Sequence, residues 1–248
     1  MFNYLMRIEY DGTKFVGWQY QKNGNSIQGV LQNAFSKFLK EKVIVTGAGR
    51  TDAGVHAVEQ TAHIELKKKI KDKDVFLNSI NFYLKKHPIS VTKIKIKNKN
   101  FHARFSAKKR AYRYVIVNRI ASLVLDEKRA WHVRKKLNVK LMEKGIKLLK
   151  GTHDFSTFRA AACGAKSPVK TIENAQIKKN KEKIIITFIS KSFLQHQVRS
   201  MVGCLKLLGE NKWNIQDFKN AFFSKKRSNC ATLAPPHGLF LLKIYYNI

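Results

Sequence analysis

The sequence predicts an α+β protein of mixed α/β character, two halves of antiparallel sheet and helix flanking a central basic cleft. Three observations predict it. Apolar residues alternate with period 2 in some segments and recur with period 3.6 in others. The order strand, helix, strand, strand, helix, strand runs once before residue 100 and roughly again after it. Finally, 49 Lys and Arg stand against 16 Asp and Glu, a formal charge of +33, which attracts a polyanion such as nucleic acid. A solvated lysine coat gives the same charge, so scarce arginines say more than abundant lysines.

Tyr4 to Tyr10 alternates as a strand. Ser26 then caps a helix carrying Ile27, Val30, Leu31, Ala34, Phe35, Phe38 and Leu39 at helical spacing. Val43 to Thr46 reads as a strand, the glycine-rich stretch after it as a loop, and Ala57 to Leu66 as a strand with Val58, Ala62, Ile64 and Leu66 on one face. A helix around 74–84 and a strand at 89–96 complete the half assigned to residues 1–100. The half assigned to 101–248 begins with a strand at 109–118, followed by a helix 139–149 capped by Asn138. A hairpin at 171–178 and 183–189, a helix opened by Ser192 and running to Leu208, and a last strand 239–245 follow.

With 44% hydrophobic residues the chain can pack an interior despite its charge, so disorder is not expected. Cys163, Cys204 and Cys230 are odd in number and far apart, which fits neither a disulfide framework nor a CxxC metal site. A reducing, cytoplasmic location is expected, with no export signal and no membrane partner, since no apolar run approaches 18 residues. The spacings of metal sites and the complete glycine motifs of nucleotide sites are missing, so no metal or other cofactor is expected.

Three stretches hold candidate chemistry. In TGAGRTDAGVHA (46–57), Gly47, Gly49 and Gly54 let the backbone bend and approach a ligand, while Arg50 and Asp52 share a side if the segment is extended. A carboxylate in a basic groove opposes phosphate binding unless it has a task, and nucleophilic attack on a sugar or base carbon is one. An Asx-turn is the alternative for Asp52. FHARFSAKKRAYRY (101–114) interleaves aromatics with cations, as unpaired RNA bases and their phosphates require; a tyrosine-rich core strand is its alternative. On the helix after Ser192, Leu194, Val198, Met201, Val202, Leu205 and Leu208 form an apolar stripe, with Gln195, His196, Arg199 and Lys206 opposite.

These stretches, together with RIEYDGTKFVGWQ (7–19), SIQGVLQ (26–32), DFSTFR (154–159) and FLQHQVRSMVG (193–203), closely resemble the tRNA pseudouridine synthase A family across nearly the whole chain. GRTDAGVHA is highly specific for that branch. The resemblance implies two halves similar to RNA-recognition modules of ferredoxin-like topology, a homodimer, and an isomerase that converts uridine to pseudouridine at positions 38 to 40 of the anticodon stem-loop of several tRNAs. It places the nucleophile on Asp52, the base-flipping companion on Arg50, the tyrosine stacked on the target base on Tyr112, and the basic residue paired with the nucleophile on Arg199. RNA contacts fall on Phe101, His102, Ala103, Arg104 and Phe105, and on the loop of Ala162, Cys163, Gly164, Ala165 and Lys166. SNCATLAPPHGLFL departs from the family where Leu233 replaces a small polar residue, and no contact is assigned there. The competing class is a non-catalytic RNA-binding protein or RNA chaperone, in which Asp52 is dispensable.

Overall fold

The computed structural model describes residues 1–247. Along the chain come β1 (Phe2–Tyr10), α1 (Ile27–Leu39), β2 (Thr46–Gly47), β3 (His56–Leu66), α2 (Lys73–Leu84) and β4 (Ile89–Lys97). They are followed by β5 (Ala107–Asn118), β6 (Trp131–Val133), α3 (Val139–Lys147), β7 (Gly151–Asp154), β8 (Val169–Asn180), β9 (Lys183–Ser190), α4 (Gln197–Gly209), α5 (Ile215–Phe223) and β10 (Leu239–Tyr246). Residues Met1–Lys108, with those from Phe240 onward, form one compact unit, and Lys109–Leu239 the other.

In the first unit the strand order is β4–β1–β3–β10, with β2 also on β3. The pairs are antiparallel except β3 with β10, which is parallel. Helix α1 starts where Ser26 accepts the Gly29 N–H and buries Ile27, Leu31, Ala34 and Phe35; α2 packs beside it through Phe76, whose ring meets Phe35 at 6.2 Å and Phe38 at 5.2 Å.

Two expectations fail in this unit. Val43 to Val45 is no strand: the Val43 and Val45 N–H groups donate to Ser36 Oγ and Gln32 Oε1, so helix side chains satisfy the backbone that a ladder would have used. Val58 is 43% exposed because the register between β1 and β3 shifts between Ile8 and Tyr10. Two β3 residues oppose Glu9 there, and this bulge reverses the inward and outward alternation, turning Ala57 in and Val58 out.

The second unit orders its strands β5–β9–β8–β7, with β6 parallel beside β5, so strand pairing within each unit is mixed rather than purely antiparallel. Asn138 accepts the Leu141 N–H at the start of α3. Helix α5 was not anticipated, although Asn214 and Asp217 form a capping box at its start. Helix α4 begins at Gln197, five residues after Ser192. His196 at φ 65° precedes it, and the Leu194 N–H is bonded by the Gln197 side chain instead. Gln195 and His196 therefore lie before the helix, and Ser200, Gly203 and Cys204 are buried along with the apolar stripe.

Candidate active site

In the first unit, β2 and β3 pair antiparallel through Thr46 with His63 and Gly47 with Ala62, so the chain between them must reverse. That reversal carries Arg50 and Asp52. It is tied down on both sides: Ala48 N–H donates to Thr61 O at 2.8 Å and Gln60 Nε2 to Gly49 O at 3.1 Å. Thr51 is held twice, its carbonyl accepting Trp18 N–H at 3.1 Å and its hydroxyl bonded to Tyr10 at 2.8 Å. Beyond Asp52, Gly54 N–H reaches Phe15 O at 3.3 Å and Val55 N–H reaches the main-chain oxygen of Asp52 at 3.2 Å. Of the three glycines in the motif, Gly54 alone has positive φ, 75°; a side chain on Gly49 would meet nothing within 4 Å. Thr51 is buried, Asp52 half-buried and Arg50 exposed.

The FHARF turn belongs to the same unit. His63 Nδ1 accepts the Ala103 N–H at 3.1 Å and Tyr246 donates to Ala103 O at 2.7 Å, so this buried alanine anchors the turn. His102 Nδ1 accepts the Arg104 and Phe105 N–H groups. The turn thereby presents an exposed Arg104 and a Phe105 that is 77% exposed, with Phe101 and His102 half-buried beside them. Burial lowers the pKa of His63, assisted by His102 and opposed by Glu65.

In the second unit, Tyr112 lies on β5 opposite Phe188, half-buried, with its ring edge-on to Phe193 at 5.2 Å. Tyr114 is fully buried and donates to Pro235 O at 2.8 Å. Burial pushes its hydroxyl far above the ordinary range, with the Arg199 charge pulling the other way. Arg199, half-buried on α4, donates from Nε to Ala234 O at 2.8 Å, and Ala234 N–H returns to Arg199 O at 3.3 Å. The segment to which no contact was assigned therefore positions two of the motif residues through its carbonyls. Side-chain patterns could not find them, since backbone oxygens leave no mark in a sequence.

The 162–166 loop is shaped from beneath. Arg159 Nη2 donates to Cys163 O and, at 2.8 Å, to Ala165 O. Cys163 is buried, with Gln195 N–H on its sulfur at 3.5 Å. Burial raises the Cys163 thiol, but the Ala165 and Gln195 amides and the Arg159 guanidinium outweigh it and the pKa falls. Ala162, Gly164 and Lys166 are exposed and Ala165 half-buried. In DFSTFR, Phe155, Thr157 and Phe158 are core, and Thr157 Oγ1 donates to the carbonyls of Ala221 and Phe222 at the end of α5.

Residues 6–106 and 146–247 match the family model described as tRNA pseudouridine synthase. Proteins named tRNA pseudouridine synthase A are similar along their whole length. That of Pelagibacter ubique is 55% identical over 99% of this chain and 100% of its own. That of Afipia carboxidovorans is 46% identical over 98% and 99%, and that of Ehrlichia chaffeensis 45% over 98% and 99%.

Proposed function

The chain belongs to the tRNA pseudouridine synthase family, and from that premise we propose which of its residues perform the isomerisation and on which part of the tRNA. The enzyme is an isomerase acting on uridine within tRNA. The N1–C1′ bond breaks, the uracil turns, and C5 joins the same C1′; C5 gives up a proton and N1 gains one. Nothing is added or lost overall, so binding and orientation carry the catalysis.

Asp52 is the nucleophile in this proposal. A stacked uridine is out of a carboxylate's reach, and flipping it out costs a few kcal/mol. Arg50 offsets that cost in the vacated stack and Tyr112 against the base, while Arg199 is the basic residue paired with Asp52 in the reacting complex. Arg104 and Phe105 offer a cation and a flat ring to the RNA, and Lys166 a second cation. Phe101, His102 and Ala103 shape the first contact, and Ala162, Cys163, Gly164 and Ala165 the second. The substrate segment is the anticodon stem-loop at positions 38 to 40, the protein a cytoplasmic homodimer. Among the described residues no helix is long and apolar enough to cross a membrane.

The observation that supports Asp52 most is its loop, held by bonds from Tyr10, Phe15, Trp18, Gln60 and Thr61 while the carboxylate-bearing residue stays half-buried and Arg50 exposed. Preorganisation of this kind is what a positioned nucleophile needs. The test is tritium release from tRNA labelled at uridine C5, with tRNA binding measured in parallel. Release by the wild type, none by Asp52→Ala, and binding intact in both is the expected result; release by Asp52→Ala at the wild-type rate removes Asp52 from the chemistry. Mapping the product on the tRNA outside positions 38 to 40 removes the anticodon assignment alone.

A further inference from the structure

The reaction above makes no use of Cys204 or Cys230, yet the fold brings their sulfurs to 3.7 Å. Cys204 is fully buried on α4; Cys230 lies just past a short turn, 227–229, and is half-buried. Sulfurs at this distance are already in contact and must close by less than about 2 Å to reach a disulfide bond of roughly 2.05 Å. We infer that these residues form an oxidation site, a dithiol that a hydroperoxide converts to a disulfide tying the 227–234 segment to α4.

The surroundings separate the two roles. The Cys204 thiol hydrogen-bonded to Cys230 lowers the pKa of Cys230, and the nearby Arg227 guanidinium and Ser200 lower it further against the effect of burial. The same bond, with burial, raises Cys204. Cys230 is therefore both the more accessible sulfur and the better thiolate, the combination that selects a peroxide-reactive cysteine. Its thiolate attacks one peroxide oxygen, the O–O bond breaks, and Cys230 becomes a sulfenic acid as water or alcohol leaves. Cys204 sulfur then attacks the sulfenic sulfur and expels hydroxide, which takes the Cys204 proton and departs as water. Two thiols have lost two electrons and two protons, and one peroxide has been reduced.

The bond would close a link already drawn tight. Ala231 N–H donates to Cys204 Sγ at 3.3 Å, and Ala234 is bonded in both directions to Arg199 on α4. Oxidation fastens the segment that carries the Arg199 anchor, whichever RNA the enzyme acts on.

The experiment uses the full chain as Cys163→Ser, which removes the third thiol, treated with hydrogen peroxide. The expected product is about two mass units lighter and reverts with dithiothreitol. Trypsin should release peptides 200–206 and 228–243 as one linked species, and hydrogen exchange at the Ala234 amide should slow several-fold. Peroxide that leaves both thiols open to alkylation after denaturation overturns the site, as does oxygen added to Cys230 without a link. A disulfide that leaves exchange at Ala234 unchanged overturns the tie to α4.

Discussion

Asp52 sits between two fixed points, Thr51 with its carbonyl and hydroxyl both bonded and Gly54 bonded to Phe15. Exchanging its carboxylate for an amide should spare this frame. Asp52→Asn is expected to lower kcat by about three orders of magnitude or more with a melting temperature near wild type; single-turnover kinetics and a thermal melt check the two halves. Arg199 is different, because its Nε holds Ala234. Arg199→Lys keeps the charge without the fork, so kcat at saturating tRNA should fall less than in Arg199→Ala, and equal rates for wild type and Arg199→Ala would remove its role. His63 gives a pH dependence. Its Nδ1 must stay unprotonated to accept the Ala103 N–H, and its folded pKa lies below the ordinary value. Between the two values the unfolded chain holds the extra proton, so the stabilisation is complete above about pH 6.5 and is lost as pH falls toward the folded pKa. Urea midpoints should drop as pH falls below about 6.5, and drop less in His63→Gln.

At the scale of elements, the loop that carries Asp52 depends on residues outside its own motif. Gly17 has φ 108°, and a side chain there would lie 2.7 Å from Thr51 O, the oxygen that accepts Trp18 N–H. Gly17→Ala is therefore expected to lower kcat at least tenfold through misplacement of Asp52, with tRNA affinity, measured by filter binding, changed much less. Gln60 bridges Gly49 O and Thr61 N–H while fully buried; Gln60→Ala should cost about 1–3 kcal/mol in urea unfolding, from the groups left unpaired. What the sequence made legible follows the same division. Ser26 and the apolar spacing behind it read directly as α1, because cap and period are local properties. The late start of α4 did not, since Ser192 has the chemistry of a cap while the left-handed backbone at His196 and the Gln197 side chain decide the boundary. Nor did the bulge opposite Glu9, which is a property of two strands. The proposed site could be named from the sequence wherever a side chain is assigned the role, at Asp52, Tyr112 and Arg199. It was silent at Ala234 and Pro235, which hold Arg199 and Tyr114 through their carbonyls.

For the molecule as a whole, the charge of +33 makes a prediction about salt. If six or more phosphates are contacted, tRNA affinity should fall by about three orders of magnitude between about 50 and 200 mM salt; a nearly flat dependence would mean the lysines coat the surface without meeting RNA. The order of elements has a consequence of another kind. The parallel partner of β3 at His56 and Ala57 is β10, from Phe240 and Leu241, so the first unit is completed by residues made after the whole second unit. On a ribosome adding about 5–20 residues per second, that stretch of β3 edge waits on the order of ten seconds for its neighbour. The first unit can therefore close only once the second has been synthesised.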